Sequence, residues 1–285
     1  MSVLDIHRYD KIKLYDFINR EGGISMEIQV AVASHQIQQM PQDPIYLPIF
    51  VGHLNHPEKV PPRWQTDDQP DGQNISAENP FYCELTATYW MWKNSHADAK
   101  GLVHYRRLLS LNKQKNLDTV LSTDQANKLL EQYDLILPKK RNYYVETLMS
   151  HYLHSHHHEP MQILTDVIHQ DFPDYAGAFD RVMQRKSAHM FNILIARTPV
   201  FDRFCSWMFA VLSKVGHDNR LVLNDYSDYE ARVFGFLSEF LLDVWLECHP
   251  EYTYTEINCV FMEHQNWLKK GGKFLRRKIM PDYKN

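Results

Sequence analysis

The sequence predicts an α/β fold, a Rossmann-like sheet with a mostly helical second half. Three observations carry this. Short runs rich in β-branched and small residues alternate with helical patterns: Glu27–Ser34 (EIQVAVAS), Lys100–Leu109, Asp134–Pro138 (DLILP) and Ala188–Ala196 (AHMFNILIA). That alternation is the signature of a sheet covered by helices. Two strongly apolar helical stretches, Pro199–Val215 and Tyr229–Cys248, fill the second half. Three of the strand-like runs end in polar clusters, Ser34-His35-Gln36, His104-Tyr105-Arg106-Arg107 and Lys139-Lys140-Arg141. In sheets of this kind ligands collect at the carboxyl ends of strands.

The elements follow in order. Residues 1–26 are polar with scattered aromatics and end at Gly22-Gly23, which marks an N-terminal extension. Glu27–Ser34 is the first core strand. Ile45–Val51 is a second, with Pro48 demoting it to an edge or loop. From His53 to Asn79 the chain is polar and proline-rich, a long loop of the kind kept for function. Asn79-Pro80 supplies a cap and a first-turn proline for a helix to about Asn94. The Lys100–Leu109 strand precedes a helix from Ser122 to Tyr133, and DLILP follows. Helical patterns cover 142–157 and 160–184, Ala188–Ala196 is a strand, and Glu256–Met262 is a last one. Residues 27–265 thus form one domain, with a tail at 266–285.

Bulk properties narrow the function. A formal net charge of −4 excludes a general nucleic-acid binder, which would be basic. Cys83, Cys205, Cys248 and Cys259 stand far apart with no C-x-x-C pair; Cys83 and Cys205 sit in apolar helical patterns and read as buried thiols of a reducing compartment. No signal peptide opens the chain, and no apolar run reaches the ~18 residues of a membrane span. There is no G-x-G-x-x-G and no P-loop. A cytosolic enzyme or binding protein is the expectation.

Several stretches then resemble one family in one order: NISAENPFYCELTATYWMWKN, GLVHYRRLL, ILPKKRNYYVETLMSHYLHSH, KSAHMFN and ARVFGFLSEFLLDVW. They are similar to the bacterial capsule and exopolysaccharide glycosyltransferases catalogued as a domain of unknown function (4422), some of which transfer galactofuranose. The likeness runs from about Glu27 to Leu275. It implies a GT-A-like nucleotide-sugar fold. It also implies transfer of a sugar, galactofuranose or another hexose, from a UDP-sugar to a lipid-linked glycan in capsule, exopolysaccharide or O-antigen assembly.

Against that expectation each motif takes a role. Metal-dependent GT-A enzymes end a strand in Asp-x-Asp to hold a cation on the departing diphosphate. Here GLVHYRR puts His104, Tyr105, Arg106 and Arg107 at the matching place. Arginine supplies positive charge and bidentate donors without a metal, so no divalent cofactor is expected. Adjacent strand residues face opposite ways, so one arginine need point at the phosphates. Glu84, alone in an apolar helix, either fixes one of these arginines or acts in catalysis. His35, Lys139, Lys140, His151, His154, His189 and Asn192 are candidates for the donor or its phosphates. On one helical face stand Arg232, Glu239 and Asp243, ionisable groups in an apolar helix. An inverting transferase needs one general base, and Glu239 is the first candidate and Asp243 the second; a salt bridge from Asp243 to Arg232 is the competing explanation. The tail WLKKGGKFLRRKI is basic and amphipathic, a pattern for anionic lipid, which places the enzyme on the inner face of the cell membrane. Two other readings compete. One is a metal-dependent hydrolase built on His151–His158, and the other a non-catalytic sugar-nucleotide-binding subunit.

Overall fold

The computed structural model describes residues 26–69 and 72–262, and the expectations for the N-terminal extension and for the basic tail lie outside them. The strands are β1 (Ile28–Ser34), β2 (Tyr46–Phe50), β3 (Gln65–Thr66), β4 (Ala99–His104), β5 (Arg107–Ser110), β6 (Leu135–Pro138), β7 (Arg141–Asn142), β8 (Ser187–Ala188), β9 (Leu194–Arg197) and β10 (Tyr254–Phe261). The α-helices are α1 (Asn79–Tyr82), α2 (Leu85–Asn94), α3 (Thr123–Leu130), α4 (Leu148–Ser155), α5 (His158–Asp171), α6 (Pro173–Met183), α7 (Thr198–Gly216) and α8 (Val233–Cys248).

Among the described residues, eight strands share one mixed sheet. β3, β2, β1 and β4 pair in turn, all parallel. The first part of β4 then pairs antiparallel with β9, which pairs antiparallel with β6, and β6 runs parallel to β10. At its far end β4 turns into β5, which closes back on β10. Six strands therefore run one way, with β5 and β9 opposed, and β1, β2, β4 and β6 deliver their carboxyl ends to one edge. β7 and β8 form a separate two-stranded ribbon beside that edge.

Burial follows from this placement. β1 is covered on both faces and is apolar almost throughout, as an inner parallel strand must be. Ala31, Ala33, Leu102, Leu135 and Leu194 face the larger core, built with α2 and α4–α8; Val30, Val32, Val103, Ile136 and Ile195 face the smaller one, built with α3. The start of α3 is a capping box, with Ser122 accepting from the Gln125 N–H and Gln125 answering the Ser122 N–H. Gly101 marks the tightest crossing. A Cβ there would stand 2.7 Å from Ile195 Cγ1 and 2.8 Å from the Leu194 carbonyl, so only glycine lets β9 lie against β4.

Six expected elements differ from those observed, the first being the 142–157 helix, which starts only at Leu148 after β7 and a turn. Pro48 lies within β2, not at an edge, and is tolerated because β3 pairs only with Ile49 and Phe50. The 79–94 helix breaks at Cys83, whose φ of 53° and ψ of −128° no helix accommodates. This removes Cys83 from the apolar stripe assigned to it; it is half-buried, whereas Cys205 is buried as expected. The Lys100–Leu109 strand folds back at Tyr105-Arg106. The 160–184 helix breaks at Phe172, the residue before Pro173, where an α conformation is disfavoured. Ala188–Ala196 is interrupted by a turn at residues 189–193, with Phe191 at φ 79° and Asn192 at φ 55°. Three of these breaks lie at the carboxyl edge.

Candidate active site

β4 ends with its polar residues facing this edge. The Arg106 N–H lies 3.2 Å from His104 Nδ1, which must accept, leaving Nε2–H as the free donor. Burial, reinforced by Arg107, Arg106, His35 and Arg232, pushes His104 down to about 2, so its ring is neutral. Tyr105 is buried beneath, edge-on to His35 at 5.5 Å, with the Arg106 guanidinium 5.0 Å over its ring. Arg107 turns the other way and sits 4.4 Å over the Phe191 ring. From β7, Arg141 approaches the same ring at 5.8 Å and the Tyr143 ring at 4.9 Å. Neither the Arg107 nor the Arg141 guanidinium makes a hydrogen bond or ion pair among the described residues. Both cations are held by ring faces, and the charge nearest them is that of Glu239.

The turn at 189–192 is the centre of the site. Phe191 and Asn192 are consecutive non-glycine residues in left-handed conformation, which for Phe191 costs on the order of 1–3 kcal/mol and persists only where the surroundings impose it. The surroundings do. The His189 backbone N–H donates to Asp243 Oδ2 at 2.7 Å, and its buried ring lies between Asp243 Oδ1 at Nδ1 and Glu256 Oε1 at Nε2, 3.0 Å each. Asn192 Nδ2 donates to Glu84 Oε1 at 2.8 Å and to the Gly235 carbonyl at 3.0 Å, while Ser238 Oγ donates to Asn192 Oδ1 at 2.9 Å. The Phe191 N–H donates to Glu239. The strained turn thus connects α2, α8 and β10, and it aims Phe191 at the two arginines.

Glu239 is the carboxylate at the floor. Burial first, then the nearby Glu84 charge, raises it to about 7, against the lowering pull of Arg107, Arg141 and the Phe191 N–H. A carboxyl group whose pKa lies near neutral pH has both its protonated and its ionised form accessible under physiological conditions. Glu84 opens α2 directly after Cys83. Gly235 permits that break, since a Cβ there would meet Cys83 Sγ at 3.3 Å. Glu84 binds Asn192, not Arg106 or Arg107 as its sequence setting predicts.

Asp243 and Arg232 also part company from their expected pairing. Arg232 Nε donates to Cys83 Sγ at 3.0 Å, near the first turn of α8, and Asp243 lies three turns on with His189 and Lys140, whose Nζ is 3.8 Å from Oδ1. Burial works to raise the Asp243 carboxyl, but the His189 ring and N–H together with Lys140 hold it below its ordinary value. With its oxygens committed to His189, Asp243 positions the turn. Asp243→Asn is expected to cost about 1–3 kcal/mol of stability, because the amide cannot accept both the His189 backbone N–H and its ring contact as the buried carboxylate does. Its test is chemical denaturation, with a midpoint equal to that of the native chain disproving the pin.

The remaining candidates divide. Lys139 is exposed, its backbone N–H bonded to the Ile257 carbonyl. His151 and His154 do not point at a shared void: their Nδ1 atoms lie 3.1 and 2.9 Å from the two oxygens of buried Glu146. His151 nevertheless reaches the site wall, its ring 4.1 Å from that of Tyr143. His156 pairs with Glu230, His157 stacks on Tyr226, and His158 bonds the Leu153 carbonyl. Among the described residues no group of three or more His, Cys, Asp or Glu side chains is placed to hold a metal ion. Sequence reading missed Phe191, Tyr143, Glu146 and Glu256. Of these only Glu146, in the stretch leading to His151, had a local signal; nothing in a single sequence marks the left-handed turn that brings Phe191 and Glu256 into play.

Comparison with known proteins places this geometry. The chain matches a solved structure described as the WbbM bifunctional glycosyltransferase in its apo form, with a TM-score of 0.74 and 23% identity. The match covers 84% of this chain and 46% of that one, so the chain spans about half the length of that protein, and the likeness establishes the fold. No curated protein sequence matches significantly. A family model described as a domain of unknown function, DUF4422, matches residues 29–250, from β1 through α8 and every site residue except Glu256. The chain belongs to the DUF4422 family.

Proposed function

We propose that the chain is a glycosyltransferase on a GT-A-like scaffold, using a UDP-sugar donor and a lipid-linked glycan acceptor without a divalent metal. The observation that carries this is the pair of guanidinium groups, Arg107 and Arg141, 4.4 and 5.8 Å from the strained Phe191 ring and both acting on a carboxyl group raised to about 7. The name of the WbbM neighbour supports the reaction class. The resemblance of the sequence motifs supports galactofuranose or another hexose as the sugar.

The chemistry is a displacement at the anomeric carbon. The acceptor oxygen forms its bond to that carbon as the carbon–oxygen bond to the diphosphate breaks, and the nucleoside diphosphate leaves with the electron pair. Arg107 and Arg141 stabilise the charge growing on the leaving phosphates, with neutral His104 donating from Nε2–H. Glu239 takes the acceptor's hydroxyl proton. Asp243, His189 and Asn192 hold the turn that fixes these groups relative to one another.

Calorimetry with free UDP and a panel of UDP-sugars, with and without chelator, tests this reading together with a turnover assay. Chelator-insensitive binding with affinity in the micromolar range, and transfer from one donor, is the expected result. Binding abolished by chelator shifts the assignment to metal chemistry, and binding without turnover makes the chain a sugar-nucleotide-binding subunit.

A further inference from the structure

The two most exposed large apolar residues of the described chain are consecutive: Tyr144 at 78% and Val145 at 68% of full exposure. They sit between β7 and α4, directly after Tyr143, whose ring packs with Arg141 and His151 of the site, and are held there by hydrogen bonds. The Val145 N–H bonds back to the Tyr143 carbonyl at 2.7 Å across Tyr144, whose φ is 58°. That is the tight, rarely occupied γ-turn, here without a glycine. Asn142 Oδ1 accepts from the Tyr144 N–H at 2.7 Å, and the next residue, Glu146, is buried and gripped by His151 and His154. A loop free to relax would tuck these side chains away; this one is strained into presenting them.

Charge identifies what it meets. Exposed Lys139 and Arg141 and half-exposed Lys140 immediately precede the turn, with no acidic residue before Glu146. Ile37 and Leu54, also exposed, follow β1 and β2 at the same edge of the sheet. An apolar tip, tyrosine included, beside a cluster of cations matches the boundary of an anionic bilayer, where apolar side chains enter the headgroup region and basic ones meet its charge.

We propose that the Tyr144-Val145 turn inserts into an anionic lipid surface and seats the mouth of the site against it. This deepens the lipid-linked acceptor reading and takes its purpose from it. The contact itself is a physical one, independent of any catalysis.

The test is partition of the full chain into vesicles of phosphatidylglycerol and phosphatidylcholine against phosphatidylcholine alone, for the native sequence and a Tyr144→Ser, Val145→Ser variant. The native chain is expected to bind the anionic vesicles, and raised salt to weaken that binding. The variant is expected to bind about tenfold less tightly while turning over a short water-soluble acceptor at the native rate. Equal partition of variant and native chain overturns the proposal, as does absence of native binding. So does a change in sedimentation from dimer to monomer with no change in vesicle binding, which would make the turn a self-association surface. Vesicle binding that depends on the turn, in a chain that transfers no sugar, would instead refute the transferase reading and leave this contact standing.

Discussion

Glu239→Gln is expected to lower kcat by about 10²–10⁴-fold while leaving UDP affinity within about twofold of native. The amide keeps the shape and can still accept the Phe191 N–H, but it cannot take a proton. The pH dependence separates this role from a structural one. Glu239 acts as a base only when ionised, so native activity should climb with pH through about 7 and level off above it. The residual activity of the variant should lack that limb. Stability should move in the opposite sense. The folded state raises this carboxyl from 4.5 to about 7, so its contribution to stability is fully present below the unfolded value and is lost as pH rises through the folded one. At pH 8 the Gln variant should therefore melt a few degrees above the native chain, with the gap closing as pH falls from 7 toward 4.5. A variant with native kcat, or one that keeps the limb near 7, removes Glu239 as the base.

How much of this was written legibly in the sequence depends on the range of the interaction. β1, the start of α3 near Ser122 and the two long helices rest on local patterning, and they form close to where periodicity puts them. The polar strand ends also appear as expected, because a run such as GLVHYRR must place its last residues at the carboxyl edge once the strands are parallel. The site's internal pairings did not follow. Glu84 needed a partner, and its helix offered no sign that Asn192, 108 residues away, would supply it. Arg232 and Asp243 share a face of α8 by spacing, but the helix is long enough to send one to Cys83 and the other to His189. The histidine cluster looked like a ligand set because spacing along a helix reports a shared face, and says nothing about a buried carboxylate such as Glu146 claiming both rings. Left-handed Phe191 violates the local preference of its residue type, while Asn192 adopts a conformation Asn tolerates, and local preference is the signal a single sequence carries. Such violations concentrate where tertiary contacts impose them, and here those contacts are the site.

Arg107→Ala and Arg141→Ala should each weaken UDP binding by about 10–100-fold, the worth of a charge-assisted contact to phosphate. The double variant should lose less than the product of the two, since both guanidinium groups lean on the same Phe191 ring and answer one diphosphate. Lysine at position 107 should recover only part of the loss, because it keeps the charge and gives up the planar fork and the stacking face. Melting temperatures should stay near native, as neither guanidinium is paired with a protein acid among the described residues. Unchanged UDP affinity in both single variants would end the metal-free clamp. A second consequence ties the clamp to the base. Arg107 and Arg141 hold the Glu239 carboxyl lower than burial and Glu84 alone would. A bound diphosphate neutralises those cations, so the donor itself should raise Glu239 and make it a stronger base at the moment the acceptor arrives. The limb in kcat, which reports the donor complex, should then lie at higher pH than the limb in kcat/KM for the free enzyme. In Arg107→Ala the free-enzyme limb should already have moved up toward that position, so that the two limbs nearly coincide.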